Sequence, residues 1–86
     1  MVDYSTLSFV MRGKRRKEVL LCLEKPKIPK DISFSCKISI HNVSKSLKEL
    51  LEKGLIKCEN PKDKFYRFYS LTQKGKDTLK ELKIIK

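Results

Sequence analysis

The chain has 86 residues, 40% hydrophobic and 36% charged, with 21 Lys and Arg against 10 Asp and Glu, a net charge of +11. That length suits one domain with a modest core and no separate effector module, and periodic apolar stretches argue against wholesale disorder. The basic excess favours a polyanionic partner. No apolar run nears the ~20 residues of a bilayer span and no signal-peptide layout opens the chain, so no membrane is expected and the cytoplasm follows by default.

Met1 to Thr6 read as a frayed end. Leu7, Phe9, Val10 and Met11 precede Gly13 and suit a short helix or a strand equally. Lys14-Arg15-Arg16-Lys17 opens a helix through Leu23, and Pro26 stops it. Its consecutive apolar residues from Val19 to Leu23 exceed one helix face, so the helix is either central or partly covered by another chain. A second helix starts with Pro29 at its first position and ends near Cys36.

Ser39 is a suitable N-cap for a longer helix that continues to Lys53. Val43, Leu47, Leu50 and Leu51 fall in one stripe about 100° wide. Gly54 ends this helix, and Leu55 should fold back onto Leu50. Two strands follow, Ile56 to Glu59 and Phe65 to Leu71, joined by the polar tip Asn60-Pro61-Lys62-Asp63-Lys64. Thr72 then caps a final helix carrying Leu79 and Leu82. The order helix, short helix, long helix, hairpin, helix defines an α+β class.

The long helix has the pattern that carries function. Opposite its apolar stripe stand His41, Lys45, Lys48 and Glu52, with Asn42 and Ser44 on the flanks. No acid occurs from Ser39 to Lys48. A helix inserted into the major groove brings its first turns to the base edges, where Asn pairs with adenine, Lys with guanine, and a carboxylate would face phosphate. A short helix and tight turn before it give helix-turn-helix spacing. After Gly54 the hairpin tip offers Lys62 and Lys64, with Arg67 beside it, to backbone phosphate or a minor groove.

Other chemistries find little support. Cys22, Cys36 and Cys58 form no Cys-x-x-Cys pair and read as three thiols acting as small hydrophobes in a reducing compartment. Cys36 and His41 are near each other in sequence, but no two thiols stand at ligand spacing, so neither a metal nor a cofactor is expected. His41 has no Ser/His/Asp grouping around it, no glycine loop cradles phosphate, and no small-molecule site is evident.

Val43-Ser44-Lys45-Ser46-Leu47-Lys48-Glu49-Leu50, followed by Gly54-Leu55-Ile56, resembles the recognition helix and exit of MarR-type and ArsR-type winged-helix regulators. Tyr69-Ser70-Leu71-Thr72 with Lys74-Gly75 is similar to the junction that closes the wing in those families. The entry Arg12 to Arg16 and the wing's Asn60-Pro61 look most like short archaeal members. The resemblance implies a winged helix-turn-helix fold with a three-helix core, a two- or three-stranded wing and a C-terminal helix, binding double-stranded DNA as a transcriptional regulator.

By the same resemblance, Ile40, His41, Asn42, Ser44, Lys45 and Lys48 would face the groove. Lys62, Lys64 and Arg67 would form the wing contact, and Lys30 would touch a phosphate. Lys37 stands where relatives often have glycine, which requires of it an unfavourable backbone conformation or a different turn. A homodimer is expected from paired operators, with Leu7, Phe9, Met11, Leu82, Ile84 and Ile85 as its candidate interface or, alternatively, packed within the monomer. The alternatives are an adaptor for protein or RNA, or an architectural DNA binder.

Overall fold

Gly13 divides the amino-terminal region into α1 (Tyr4–Arg12) and α2 (Lys14–Cys22), with extended backbone between them (φ −103°, ψ 101°). The computed structural model describes residues 4–64 and 66–85. The frayed end expected at Met1 to Asp3 lies outside them, as do Phe65 and the side chain of Ile85. Tyr4 to Thr6, however, are not frayed: they form the first turn of α1, where Thr6 is buried. Because α1 buries Thr6 and Val10, one turn apart, it settles the helix-or-strand ambiguity in favour of a helix.

The five consecutive apolar positions of α2 divide by helical geometry. Val19 and Leu20 are fully buried and Leu23 caps the helix inside the core, whereas Leu21 is exposed and Cys22 half-buried. The helix is therefore central, with one residue left outward. A disulfide joins Cys22 to Cys36 across 7.0 Å between α-carbons, tying the end of α2 to the end of the next helix. The expectation of three thiols thus holds only for Cys58, which is free and half-buried. The pair lies 14 positions apart, and only the folding of one helix onto the other brings it together.

Helix α3 (Pro29–Cys36) starts as expected with Pro29 in its first turn, Asp31 beside it and Ile28 as an N-cap lacking a side-chain bond. Lys37 follows in the left-handed region (φ 56°, ψ 44°), the first of the two options open to it. The turn is held by Ser33, whose Oγ donates to the Ile38 carbonyl at 2.6 Å and whose carbonyl accepts from Ile38 N at 3.2 Å.

Helix α4 (Ile40–Glu52) begins at Ser39, whose hydroxyl accepts from Asn42 N at 3.3 Å. Val43, Leu47 and Leu50 are buried, but Leu51 is 38% exposed and belongs to the stripe's edge, not its centre. Burying three such side chains contributes on the order of 5–9 kcal/mol, against about 1 kcal/mol for a cap. Packing therefore orients α4, and Ser39 only fixes where it starts. At the exit Gly54 takes φ +73°, Gly54 N donates to Leu51 O at 3.0 Å and Leu55 N to Leu50 O at 3.1 Å. These two bonds are the Schellman closure that the Gly54-Leu55 pair predicts.

Strands β1 (Ile56–Cys58) and β2 (Tyr69–Leu71) pair antiparallel, Ile56 opposite Leu71, Lys57 opposite Ser70, Cys58 opposite Tyr69. Lys27 adds a single bridge to the other edge of β2, exchanging both backbone bonds with Tyr69. The strands are shorter than expected because Asn60 takes over the ladder. Its Nδ2 donates to Tyr66 O at 2.6 Å and its Oδ1 accepts from Phe68 N at 2.7 Å, so side-chain bonds replace the ladder at this end of the hairpin.

Thr72 joins the hairpin to α5 (Gln73–Ile85). Its hydroxyl accepts from Gly75 N at 3.1 Å, capping α5, and donates to Gly54 O at 2.7 Å, tying that cap to the exit of α4. Leu79 and Leu82 of α5 are buried in the same core cluster as Leu20, Leu23 and Leu55. Among the described residues the result is five helices and one two-stranded hairpin, the expected α+β arrangement with a C-terminal helix.

Candidate nucleic-acid interface

The same packing that buries Val43, Leu47 and Leu50 turns the other side of α4 to solvent. His41, Ser44, Lys45 and Lys48 are exposed, Ile40 is 52% exposed, and Asn42 is half-buried on the flank. The residues expected to face a groove therefore share one continuous outer surface, with Asn42 at its border. Nothing from Ile40 to Lys48 carries negative charge.

The nearest acid on that flank is neutralised. Arg16 of α2 reaches Glu49 with Nε at 3.3 Å from Oε1 and Nη2 at 3.5 Å from Oε2. Its Nη1 donates to the Phe9 carbonyl at 2.5 Å, and its guanidinium lies 4.1 Å from the centre of the Phe9 ring. One arginine thus ties α1, α2 and α4 together, with one bond from each of its three guanidinium nitrogens. In the sequence, Lys14 to Lys17 mark a helix opening within the Arg12 to Arg16 entry and point to no contact. The structure brings Lys14 and Arg15 beside Asn42 and Lys45 around one surface notch.

The hairpin tip projects as a charged loop. Lys62 and Lys64 are exposed. Arg67 is also exposed, but its Nε donates to the Asp63 carbonyl at 2.7 Å, so part of its hydrogen-bonding capacity holds the loop in shape. Asp63 contributes further by accepting from Tyr66 N at 2.9 Å. Lys30 is exposed in the first turn of α3. Exposed aromatic residues also border these elements, Phe34 on α3 and Tyr66 and Phe68 on the loop, and the sequence reading gave them no role.

Among the described residues, no three His, Cys, Asp or Glu side chains gather as a metal site requires, and no helix is long and apolar enough to cross a membrane. A basic helix face with no acid before Glu49, followed in the chain by a lysine-bearing hairpin, is the arrangement left to explain.

A family model described as winged helix-turn-helix matches residues 17–86. The chain belongs to the winged helix-turn-helix family. This winged-helix domain resembles MarR-family transcription regulators. ZitR of Lactococcus lactis, a zinc-responsive MarR family member, is 30% identical with a TM-score of 0.72, over 84% of this chain and 51% of ZitR. Wild-type ZitR in complex with DNA is 31% identical with a TM-score of 0.68, over 81% and 49% of the two chains.

RV1404 of Mycobacterium tuberculosis shares the fold at a TM-score of 0.76 and 14% identity, over 93% of this chain and 58% of its own. The winged-helix chain thus spans 49–58% of the length of these solved structures. Among curated proteins no match was found.

Proposed function

We propose that this chain is a single winged-helix domain that binds double-stranded DNA sequence-specifically and regulates transcription. In this reading α4 lies in the major groove and the tip from Asn60 to Lys64 rests on the backbone or in a minor groove. One observation carries it: α4 buries Val43, Leu47 and Leu50 while His41, Ser44, Lys45 and Lys48 remain outside, on a face that has no acid before Glu49. Lys30 of α3 would meet a phosphate, and Lys62, Lys64 and Arg67 would supply backbone contacts. The ZitR structure with DNA supports the same use of the fold.

The working form is a homodimer inside the cell, because one such domain buries only ~600–1,000 Å² on DNA and two-fold operators match paired domains. Exposed Met11 and Ile84 support this, and so does α1, whose Tyr4 is also exposed. Leu7, Phe9 and Leu82 are packed against or within the core and would contribute little to such an interface. Within the family, the Arg12 to Arg16 entry and Asn60-Pro61 favour the short archaeal members as its kin.

Selection of bound duplexes from a random pool tests the reading. It should return a defined motif. Asn42→Ala should relax that motif, and Lys62→Ala should weaken all sequences alike. Tighter binding to RNA than to duplex at equal salt would transfer the domain to the adaptor class. Binding to every duplex alike would make it architectural.

A further inference from the structure

The flank of α4 that faces α2 carries a second basic feature. A notch of about 250 Å³ separates the two helices, lined by Lys14, Arg15 and Arg16 from α2 and by Asn42, Lys45 and Glu49 from α4. Arg16 and Glu49 pair with each other, so they form a fixed wall of near-zero net charge. Lys14, Arg15 and Lys45 are exposed and give the lining a net positive charge, while Asn42 offers a neutral amide.

A cavity of this kind suits a compact, singly charged anion with several acceptor oxygens. It opens at the border of the face that the DNA reading sets in the major groove, where a sugar-phosphate strand runs alongside the inserted helix.

We propose that this notch seats one backbone phosphate of the strand flanking the groove, held by Lys14, Arg15 and Lys45. The proposal rests on the DNA reading above and extends the contact surface from the helix-turn-helix and wing to α2. It assigns a function to a basic run that otherwise only opens a helix. The Arg16–Glu49 pair holds the two sides of the seat at a set spacing without touching the anion.

The test is a salt series on a selected duplex, followed by fluorescence anisotropy, with the double variant Lys14→Gln/Arg15→Gln. Both residues are exposed, so unchanged circular dichroism and melting would show that the fold is kept. The plot of log K against log salt should become shallower by ~0.9, which corresponds to roughly 8-fold weaker binding at ~0.1 M salt. The preferred sequence should not change. A control that removes the same charge from α5, Lys76→Gln/Lys80→Gln, should shift the slope far less.

Equal effects of the two double variants would overturn the proposal, since the notch would then act only through overall charge. Inorganic phosphate offers the same oxygens and should weaken wild-type binding more than chloride does at matched ionic strength, an excess that Lys14→Gln/Arg15→Gln should abolish. An excess that persists in the double variant would overturn the seat. If wild-type protein fails to bind any duplex, the DNA reading itself falls and the notch proposal with it. Strong wild-type binding with an unaltered slope in Lys14→Gln/Arg15→Gln removes the notch alone.

Discussion

The α-carbon of Gly75 lies so close to the backbone of Leu55 that a β-carbon there would sit 2.0 Å from the Leu55 carbonyl oxygen. That oxygen already accepts from Thr72 N at 3.0 Å, so α5 and the exit of α4 are in backbone contact at this point. Gly75→Ala should therefore force the two segments apart. A loss of about 1–3 kcal/mol or more is expected, read as a lower urea midpoint at unchanged slope. Wild-type stability in this variant would show that the junction has slack.

Lys37 is the one non-glycine among the described residues with positive φ. The left-handed region costs an L-residue roughly 1–2 kcal/mol, while glycine gives back part of that advantage in unfolded-chain entropy. Lys37→Gly should raise unfolding free energy by up to ~1 kcal/mol in a denaturant titration, and Lys37→Asn by less. Destabilisation by Lys37→Gly would mean that the lysine side chain holds the turn through packing.

Glu49 and Arg16 form a half-exposed pair, and pairs of this kind contribute about 0.5–1 kcal/mol. Glu49→Gln should cost no more than that. Arg16→Met should cost more, because it also removes the bond to the Phe9 carbonyl and the stacking on its ring. A double-mutant cycle separates the two contributions. If both variants lost equal stability, the ties to Phe9 would carry nothing.

Glu24 makes a pH-sensitive contact with α5. The ammonium of Lys83 donates to its carboxylate and lies beside it, holding its pKa below the ordinary value, with Lys27 adding a smaller attraction. A lowered folded-state pKa means the tie between Glu24 and α5 is fully present above the unfolded value of about 4.3. It is lost as pH falls through the folded value. An NMR titration of Glu24 should give a midpoint that rises toward the unfolded value in Lys83→Gln. A midpoint indifferent to that substitution would contradict the pairing.

How far the sequence could be read depended on whether a signal was local. Helix α4 was legible because Ser39, the spacing of Val43, Leu47 and Leu50, and Gly54-Leu55 all agree on one element, and its outer face follows from its inner one. Leu7 to Met11 were not, since contiguous apolar residues satisfy helix and strand periods alike. The second strand is shorter than its aromatic residues suggest, because Asn60 replaces the ladder with its own side-chain bonds. The Cys22–Cys36 link and the notch beside Arg15 depend on how α2 packs against its neighbours, which spacing along the chain does not encode.

In the function proposed above, the outer face of α4 is the surface that meets duplex DNA. Backbone amide shifts followed by NMR during titration with a selected duplex measure this directly. The largest changes should fall on residues 40–48, with a second set at residues 62–64 and little along the solvent side of α5. Changes concentrated on α5 or α1, with His41, Ser44, Lys45 and Lys48 unmoved, would contradict it.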